Sequence, residues 1–574
     1  PVAVIEDASI AVEDLPAYVA DFRKLLDSLN LTCTFYGHAS SGELHLRPVI
    51  NLKTEEGQKL FRKIAEKTSA LVKKYKGSLS GEHGDGRLRG EFIRIMVGEK
   101  NYNLFREIKS TWDPQHLFNP GKIVETPPMD THLRYLPGVE TPDIESVYDF
   151  SREQGVVRAA EFCNGSGDCR KTHLSGGTMC PSYMATRDEK HTTRARANIL
   201  REYLRKPYLK NRFNHNGIYE VMDLCLSCKA CKSECPSGVD VAKLKAEFLQ
   251  HYYEANGVPL RTSMIAEISK LNRLASLLPS IYNFTVSNTV TSRIIKRIAG
   301  FAQKRSLPLL DKTTLKSWIR KHKVKLKHES PKGKVCLFSD EFTNFYDTGT
   351  GKNAVMLLEH LGYEVMIPEH RESGRAYISK GLLKKARKIA IDNVTFLKDV
   401  VTSEVPLVGI EPSAILSFRD EYIDLVPDDL RQDARRLGEN ALLFEEFFIR
   451  EMEKGLITHD LFTSEHKKVK FHGHCHQKAI ASQSPSVRML GLPCNYEVEI
   501  IPSGCCGMAG SFGYEKEHYA VSMKIGELVL FPAIRGKNPD ELIAASGTSC
   551  RHQIKDGTGE IALHPIDILY QALR

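Results

Sequence analysis

CLSCKACKSECP, residues 225–236, places Cys225, Cys228, Cys231 and Cys235 in one short loop, and no other stretch constrains the fold as tightly. Thiols packed that densely serve disulfides, zinc or an inorganic cluster. Disulfides are the weakest explanation, since a 574-residue chain with only 14 cysteines buries a large core without covalent staples. Structural zinc also uses C-x2-C pairs. Three cysteines at successive intervals, and a fourth before Pro236, favour iron and sulfur.

Bacterial ferredoxins hold a [4Fe–4S] cluster with this C-x2-C-x2-C-x3-C-P spacing, and the fourth cysteine ligates a second cluster. A partner motif is therefore expected. Upstream, CNGSGDCRKTHLSGGTMCP supplies Cys163, Cys169 and Cys180, with Ser166 where a middle cysteine would stand. If the terminal cysteines cross over, Cys180 joins Cys225, Cys228 and Cys231, while Cys235 joins Cys163 and Cys169. The second cluster then has an open fourth position for Ser166, Asp168, His173 or no protein ligand. Read singly, each of those three polar residues is ordinary loop.

No apolar run of about 18 residues and no charged-then-apolar N-terminal segment occurs, so the chain reads as a multidomain cytoplasmic protein in a reducing compartment. The net charge of +9 is uneven, with basic residues dominating from Arg293 to Lys334 in RIIKRIAGFAQKR and WIRKHKVKLKHESPKGK. Ile294, Ile298 and Phe301 recur there at helical spacing, which describes a basic amphipathic helix. Packing on its own domain is the preferred reading, with peripheral docking on the inner membrane surface as the alternative. No aromatic platform accompanies the charge, so nucleic acid is not an expected partner.

The first 125 residues alternate strand and helix: PVAVIEDASI, TCTFYGH and ELHLRPVI as strands, EDLPAYVADFRKLLDSLN and TEEGQKLFRKIAEKTSALVKKY as helices. In GHASSGELH, His38 and His45 would fall on opposite faces of one straight strand. The Ser40-Ser41-Gly42 turn signal breaks that strand, so a hairpin can bring both imidazoles to one point. GSLSGEHGDG then sets Glu82 beside His83 in a glycine-rich loop. Two histidines and a carboxylate form a common open metal site, although satisfied surface histidines are the default reading of the spacing alone.

GHASSGELHLRPVINLK, GSLSGEHGDG and FNPGK resemble the C-terminal substrate domain of flavin-linked 2-hydroxy-acid dehydrogenases in the vanillyl-alcohol-oxidase-like superfamily. The family pattern is G-H-x-G-D-G-N-L-H followed by G-E-H-G. This chain has Ser40, Ser41 and Glu43 where the pattern has Gly, Asp and Asn. The resemblance implies a divalent metal of the Zn or Mn type on His38, His45 and Glu82, with His83 as the base beside an FAD. It also implies a small D-2-hydroxy acid as substrate, of the lactate, 2-hydroxyglutarate or glycolate type. The family's flavin domain precedes this region, and the sequence opens at Pro1. The expectation is a C-terminal fragment, inactive alone, whose upstream FAD-binding domain is its partner; a natural subunit lacking that domain is the alternative.

The last 240 residues read as a diverged repeat, with KGKVCLFSDEF opening one copy and HKKVKFHGHC the other. Both resemble the paired cysteine-rich CCG domains of heterodisulfide reductase and of the iron–sulfur subunits of glycolate oxidase and anaerobic glycerol-3-phosphate dehydrogenase. The first copy has Glu372-Ser373-Gly374 in place of CCG and Ala414 at its later cysteine position, so its ligands are expected to be lost. The second keeps Cys475, Cys505, Cys506 and Cys550, with His474 and His476 alongside. Those thiolates suit a further iron–sulfur centre, zinc or a redox-active thiol site.

The expected fold is thus multidomain, α+β and α/β. Residues 1–126 form the substrate (cap) domain, 127–155 a linker, 156–250 a helical two-cluster ferredoxin-like domain and 251–330 a helical basic connector. Residues 331–466 and 467–574 form the duplicated CCG domain. This order describes an electron wire, in which electrons from a hydroxy acid pass through FAD and two iron–sulfur clusters, at least one of them [4Fe–4S]. They leave to a quinone, cytochrome or ferredoxin-like acceptor. The competing readings are an electron-transfer module without its own active site, and a scaffold with zinc in every cysteine site.

Overall fold

The computed structural model describes residues 2–206, 211–322 and 331–574. Pro1, the 323–330 part of the basic run and the domain boundary expected at residue 330 lie outside the described residues. The chain divides into two compact units, with the boundary between Thr141 and Pro142.

The first unit is a three-stranded antiparallel sheet, order β1-β3-β2, built from β1 (Ala8–Ser9), β2 (Cys33–Gly37) and β3 (Glu43–Pro48). Helices Leu15–Ser28 and Glu55–Lys74 carry the apolar stripes read in the sequence, burying Tyr18, Phe22 and Leu26 on one and Phe61, Ile64 and Val72 on the other. Thr54 caps the second helix by accepting from Gly57 N at 3.0 Å. The expected long first strand shrinks to two residues. Asp7, at φ 86°, turns the chain out of extended conformation just before β1. The helix Glu99–Trp112 buries no residue, which is why core periodicity did not disclose it.

The second unit holds two parallel sheets. One has the order β5-β4-β6-β7, from β4 (Gly333–Phe338), β5 (Tyr363–Met366), β6 (Leu407–Gly409) and β7 (Ala441–Leu443). The other has the order β10-β8-β9, from β8 (Lys467–His472), β9 (Tyr496–Ile500) and β10 (Leu542–Ala545). In both, the first strand is central and the next two flank it. In the first sheet the strand interiors are nearly continuous apolar runs, as in Val335, Leu337 and Phe338, whereas Lys467–His472 and Tyr496–Ile500 of the second alternate charged with apolar residues.

A helical layer precedes the sheets. Its longest member, Val241–Asn256, buries Phe248 and Leu249 in one core with Leu382 and Leu383 of the first sheet's domain. Farther along, the helix Thr289–Ala299 corrects the packing expected of the basic amphipathic segment. Ile294 and Ile298 are exposed, while Ser292, Lys296 and Ala299 are the buried residues. Periodicity reveals a stripe but not which side the tertiary structure covers. Among the described residues no helix is long and apolar enough to cross a membrane.

Candidate functional site: three clusters of metal-binding side chains

In the first unit the β2-β3 hairpin pairs Tyr36 with His45 and Gly37 with Leu44. Its turn carries Ser40 and Gly42 at positive φ, and a Cβ at Gly42 would stand 1.9 Å from the Ile10 carbonyl oxygen. The turn folds His38 back, so its ring centroid lies 5.1 Å from that of His45. Glu82 Oε1 sits between the rings, 3.2 Å from His38 Nε2, 3.8 Å from His45 Nε2 and 3.2 Å from His83 Nε2.

Three acids to which the sequence reading gave no ligand role complete this site. Glu43 Oε1 approaches His45 Nε2 at 3.8 Å, and the ligand atoms of His38, Glu43, His45 and Glu82 lie within 4.8 Å of one another. Glu6 Oε1 lies 3.5 Å from His83 Nδ1. Asp7 is fully buried and organises the glycine-rich loop: its carboxylate accepts from Glu82 N at 2.8 Å, His83 N at 3.1 Å and Ser80 Oγ at 2.6 Å. Arg89 Nη2 completes its partners at 3.1 Å. Burial alone would raise the Asp7 carboxyl, but the Ser80 and amide hydrogen bonds hold it well below the usual carboxylate range. Glu43 is pushed up, first by its hydrogen bond to Asp7 and then by burial and Glu82. His45 Nδ1 and Glu43 Oε1 are buried without a hydrogen-bond partner. Crowded carboxylates and imidazoles with unused lone pairs are a donor set that suits a divalent cation.

In the second unit, Cys180, Cys225, Cys228 and Cys231 line one cavity, together with Arg196 and Ser227. Ser227 and Lys229 adopt left-handed backbone at φ 52° and 62°, which coils the loop around that cavity. Lys245 Nζ pins the loop by donating to the Cys225 carbonyl at 2.6 Å. Lys229 Nζ is buried in ion pairs with Asp420 and, at 2.5 Å, with Glu421.

Cys163 and Cys169 are also buried, whereas Cys235 caps the short helix Ala230–Glu234. Ser166 and Asp168 are exposed. His173 is half-buried, and its Nδ1 is buried without a partner. The sequence reading also missed the helix Thr193–Leu204, which supplies donors to three sulfurs. Arg194 N donates to Cys169 Sγ at 3.4 Å, Arg196 Nη1 to Cys180 Sγ at 3.3 Å, and Asn198 Nδ2 approaches Cys163 Sγ at 3.8 Å. Such hydrogen bonds raise cluster potentials and hold thiolates in place.

The third cluster sits at the rim of the second sheet. Cys475, Cys505, Cys506 and Cys550 are all buried. Thiol hydrogen bonds pull Cys475 and Cys506 down from the ordinary thiol range and push Cys505 and Cys550 up. Of the histidines in HGHCH, His472 faces these sulfurs: its ligating nitrogen lies within 4.8 Å of Cys506 and Cys550 Sγ. Its Nδ1 is engaged by Ser503 Oγ at 2.6 Å, and its Nε2 has no hydrogen-bond partner. His474 instead points Nε2 at Glu411, 3.9 Å away, and His476 Nε2 lies 3.0 Å from the Ser227 carbonyl oxygen. Lys478 Nζ donates to the carbonyls of Ser503 and Gly504 at 2.5 and 2.9 Å, tying the helix Cys475–Ile480 to the double-cysteine loop.

At the corresponding rim of the first sheet, Glu341 accepts from Ser373 N at 2.8 Å and from Ser373 Oγ at 2.7 Å. Ala414 there is fully buried. Cys336 lies inside β4, where burial pushes its thiol up to about 11.

Residues 1–123 match the family described as FAD linked oxidases, C-terminal domain, and residues 162–240 match the 4Fe-4S dicluster domain. The chain is 28% identical over its whole length to the D-2-hydroxyglutarate dehydrogenase of Escherichia coli (strain K12), of which it covers 59%. Over 56% of its length it is 26% identical to one subunit of the anaerobic glycerol-3-phosphate dehydrogenase of the same organism, covering 79% of that protein. Over 21% of its length it is 27% identical to the mitochondrial D-lactate dehydrogenase [cytochrome] of Arabidopsis thaliana, covering 22% of it. The chain therefore carries an FAD-oxidase C-terminal domain and a dicluster iron–sulfur domain, spans 59% of the dehydrogenases it matches end to end, and is related to oxidoreductases.

Proposed function

We propose that the chain provides the substrate-binding and electron-exit parts of an FAD- and iron–sulfur-dependent dehydrogenase for a D-2-hydroxy acid of the 2-hydroxyglutarate class. The observation that carries this reading is the convergence of His38, Glu43, His45 and Glu82 beside His83, within a domain of the FAD linked oxidase type. A divalent cation on His38, His45 and Glu82, with Glu43 as an added carboxylate, supplies Lewis-acid polarisation of the substrate's hydroxyl and carboxylate. FAD is the hydride acceptor in this chemistry. His83 takes the hydroxyl proton, and the carboxylates on either side of its ring, Glu6 at 3.5 Å from Nδ1 and Glu82 at 3.2 Å from Nε2, stabilise its charged form. Asp7 fixes the amides of Glu82 and His83, and so sets where ligand and base stand.

On the electron-exit side, Cys180, Cys225, Cys228 and Cys231 hold one cluster, and Cys163, Cys169 and Cys235 the other. The two sheets, with equivalent strand order, form a duplicated CCG domain whose first copy has replaced metal ligands by the Glu341–Ser373 hydrogen bonds. The second copy holds iron–sulfur or zinc on Cys475, Cys505, Cys506 and Cys550, with His472 as a further donor. The acceptor is a quinone, cytochrome or ferredoxin-like protein.

Metal analysis tests the substrate site. His38→Ala with His45→Ala is expected to abolish a bound divalent ion while leaving iron unchanged. A wild-type protein without any divalent ion other than iron, or one unaffected by both substitutions, overturns this assignment.

A further inference from the structure

Of four consecutive helices, Leu260–Ala266, Ile268–Ala275, Pro279–Ser287 and Thr289–Ala299, the second and fourth are packed inside out. The second buries Ser269 and Asn272 while exposing Leu271 and Leu274. The last buries Ser292 and Lys296 while exposing Ile294 and Ile298, the latter at 82%. Between them Leu277 is 75% exposed, and Ile281 and Phe284 stand out from the third helix. Scattered exposed apolar residues need no explanation, but a run of large ones on the outward faces of successive helices marks an interaction surface.

The charges decide what covers it. Between Leu260 and Leu310 eight lysines and arginines stand against a single acid, Glu267; Lys296 and Arg305 are buried and Arg261 pairs with Glu515 and Glu517, which leaves five on the outside. The cations sit beside the apolar rows at the same spacing. Lys270 and Arg273 flank Leu271 and Leu274, and Arg293 and Arg297 flank Ile294 and Ile298, all exposed. The outward faces of the second and fourth helices thus offer apolar ridges bordered by cations whose stems can reach up to headgroups, and the third adds apolar surface without charge. No described helix is long and apolar enough to cross a bilayer, so such faces suit the interface rather than a span.

We propose that this helical segment docks the protein on an anionic phospholipid surface, the exposed leucines and isoleucines entering the acyl boundary and the bordering cations pairing with lipid phosphates. A protein partner would need complementary acid around an apolar groove; a bilayer containing anionic lipid supplies both chemistries at once.

Flotation of the iron-loaded protein with two vesicle types tests this. Binding is expected to vesicles of phosphatidylcholine with phosphatidylglycerol, weaker binding to phosphatidylcholine alone, and weakening by salt. Arg293→Glu with Arg297→Glu should reduce the partition onto the anionic vesicles by at least about tenfold. Ile294→Glu with Ile298→Glu should abolish it, with iron content and circular dichroism unchanged, since all four side chains are exposed. Absence of binding to either vesicle, or binding that survives both double substitutions, overturns the proposal. So does a concentration-dependent dimer dispersed by Ile298→Glu, which would assign the face to a second copy of the chain.

Discussion

His476 Nε2 lies 3.0 Å from the carbonyl oxygen of Ser227, joining the loop between Cys225 and Cys228 to the helix that begins at Cys475. The cysteine loop and the third cysteine cluster therefore share one hydrogen bond across the domain core. Ser227 is held in left-handed backbone, so the imidazole also steadies a conformation that a serine adopts only under constraint. His476→Ala should speed iron loss from the neighbouring cluster to a chelator by about fivefold, the worth of one hydrogen bond, and His476→Gln should restore most of the difference. Equal release rates in all three proteins would show that the contact has no such role.

Asp7 is expected to govern both metal affinity and stability in the first unit. Asp7→Asn weakens its bonds to the Glu82 and His83 amides and leaves Arg89 without its charge partner. Divalent affinity should fall by about 10- to 100-fold, and the unit should lose about 3 kcal/mol. The folded-state carboxyl titrates well below its unfolded value, so its contribution is complete above the ordinary carboxylate range, declines as pH falls below that range, and is gone only below the folded-state value. Denaturant titrations at neutral and acid pH should show the gap between wild type and variant closing on the acid side.

The rims of the two parallel sheets should differ in metal content. Cys336 is inside a strand and away from any ligand loop, so Cys336→Ala should leave bound metal unchanged. Cys506→Ala removes the sulfur nearest His472 and Cys550, and should release whatever that cluster holds. Equal loss from both variants would mean that the two rims share ligands.

The two dicluster centres should be unequal in air. Fully loaded protein is expected to carry about eight irons in this region. Ser166, exposed on its loop, gives the cluster on Cys163, Cys169 and Cys235 no fourth thiolate. That cluster should convert to a three-iron form on mild oxidation, visible by electron paramagnetic resonance, while the other persists. Two equally robust four-iron signals would contradict the assignment.

The cysteines and paired histidines were legible in the sequence because their chemistry dictates both residue type and spacing. Hairpin formation was legible too, since Ser40-Ser41-Gly42 must turn. Glu6, His472 and Arg196 were not, because each acquires its role from a partner distant in sequence: Glu6 faces His83, and Arg196 reaches Cys180 across a helix turn and a loop. His474 and His476 adjoin Cys475 in sequence, whereas His472 reaches Cys506 and Cys550 only because the strand end carries it there. The stripe of Ile294 and Ile298 was legible as a stripe, but not the side it takes, since no local rule says which face a domain will cover.

The central claim is that electrons from a D-2-hydroxy acid leave through this chain's clusters. Anaerobic electron paramagnetic resonance of the FAD-loaded enzyme, recorded before and after D-2-hydroxyglutarate is added, tests it most directly. Reduced iron–sulfur signals should appear with the D-acid, not with its L-enantiomer, and not in His83→Ala. Flavin bleaching that leaves the clusters oxidised, or cluster reduction that persists in His83→Ala, would contradict the account.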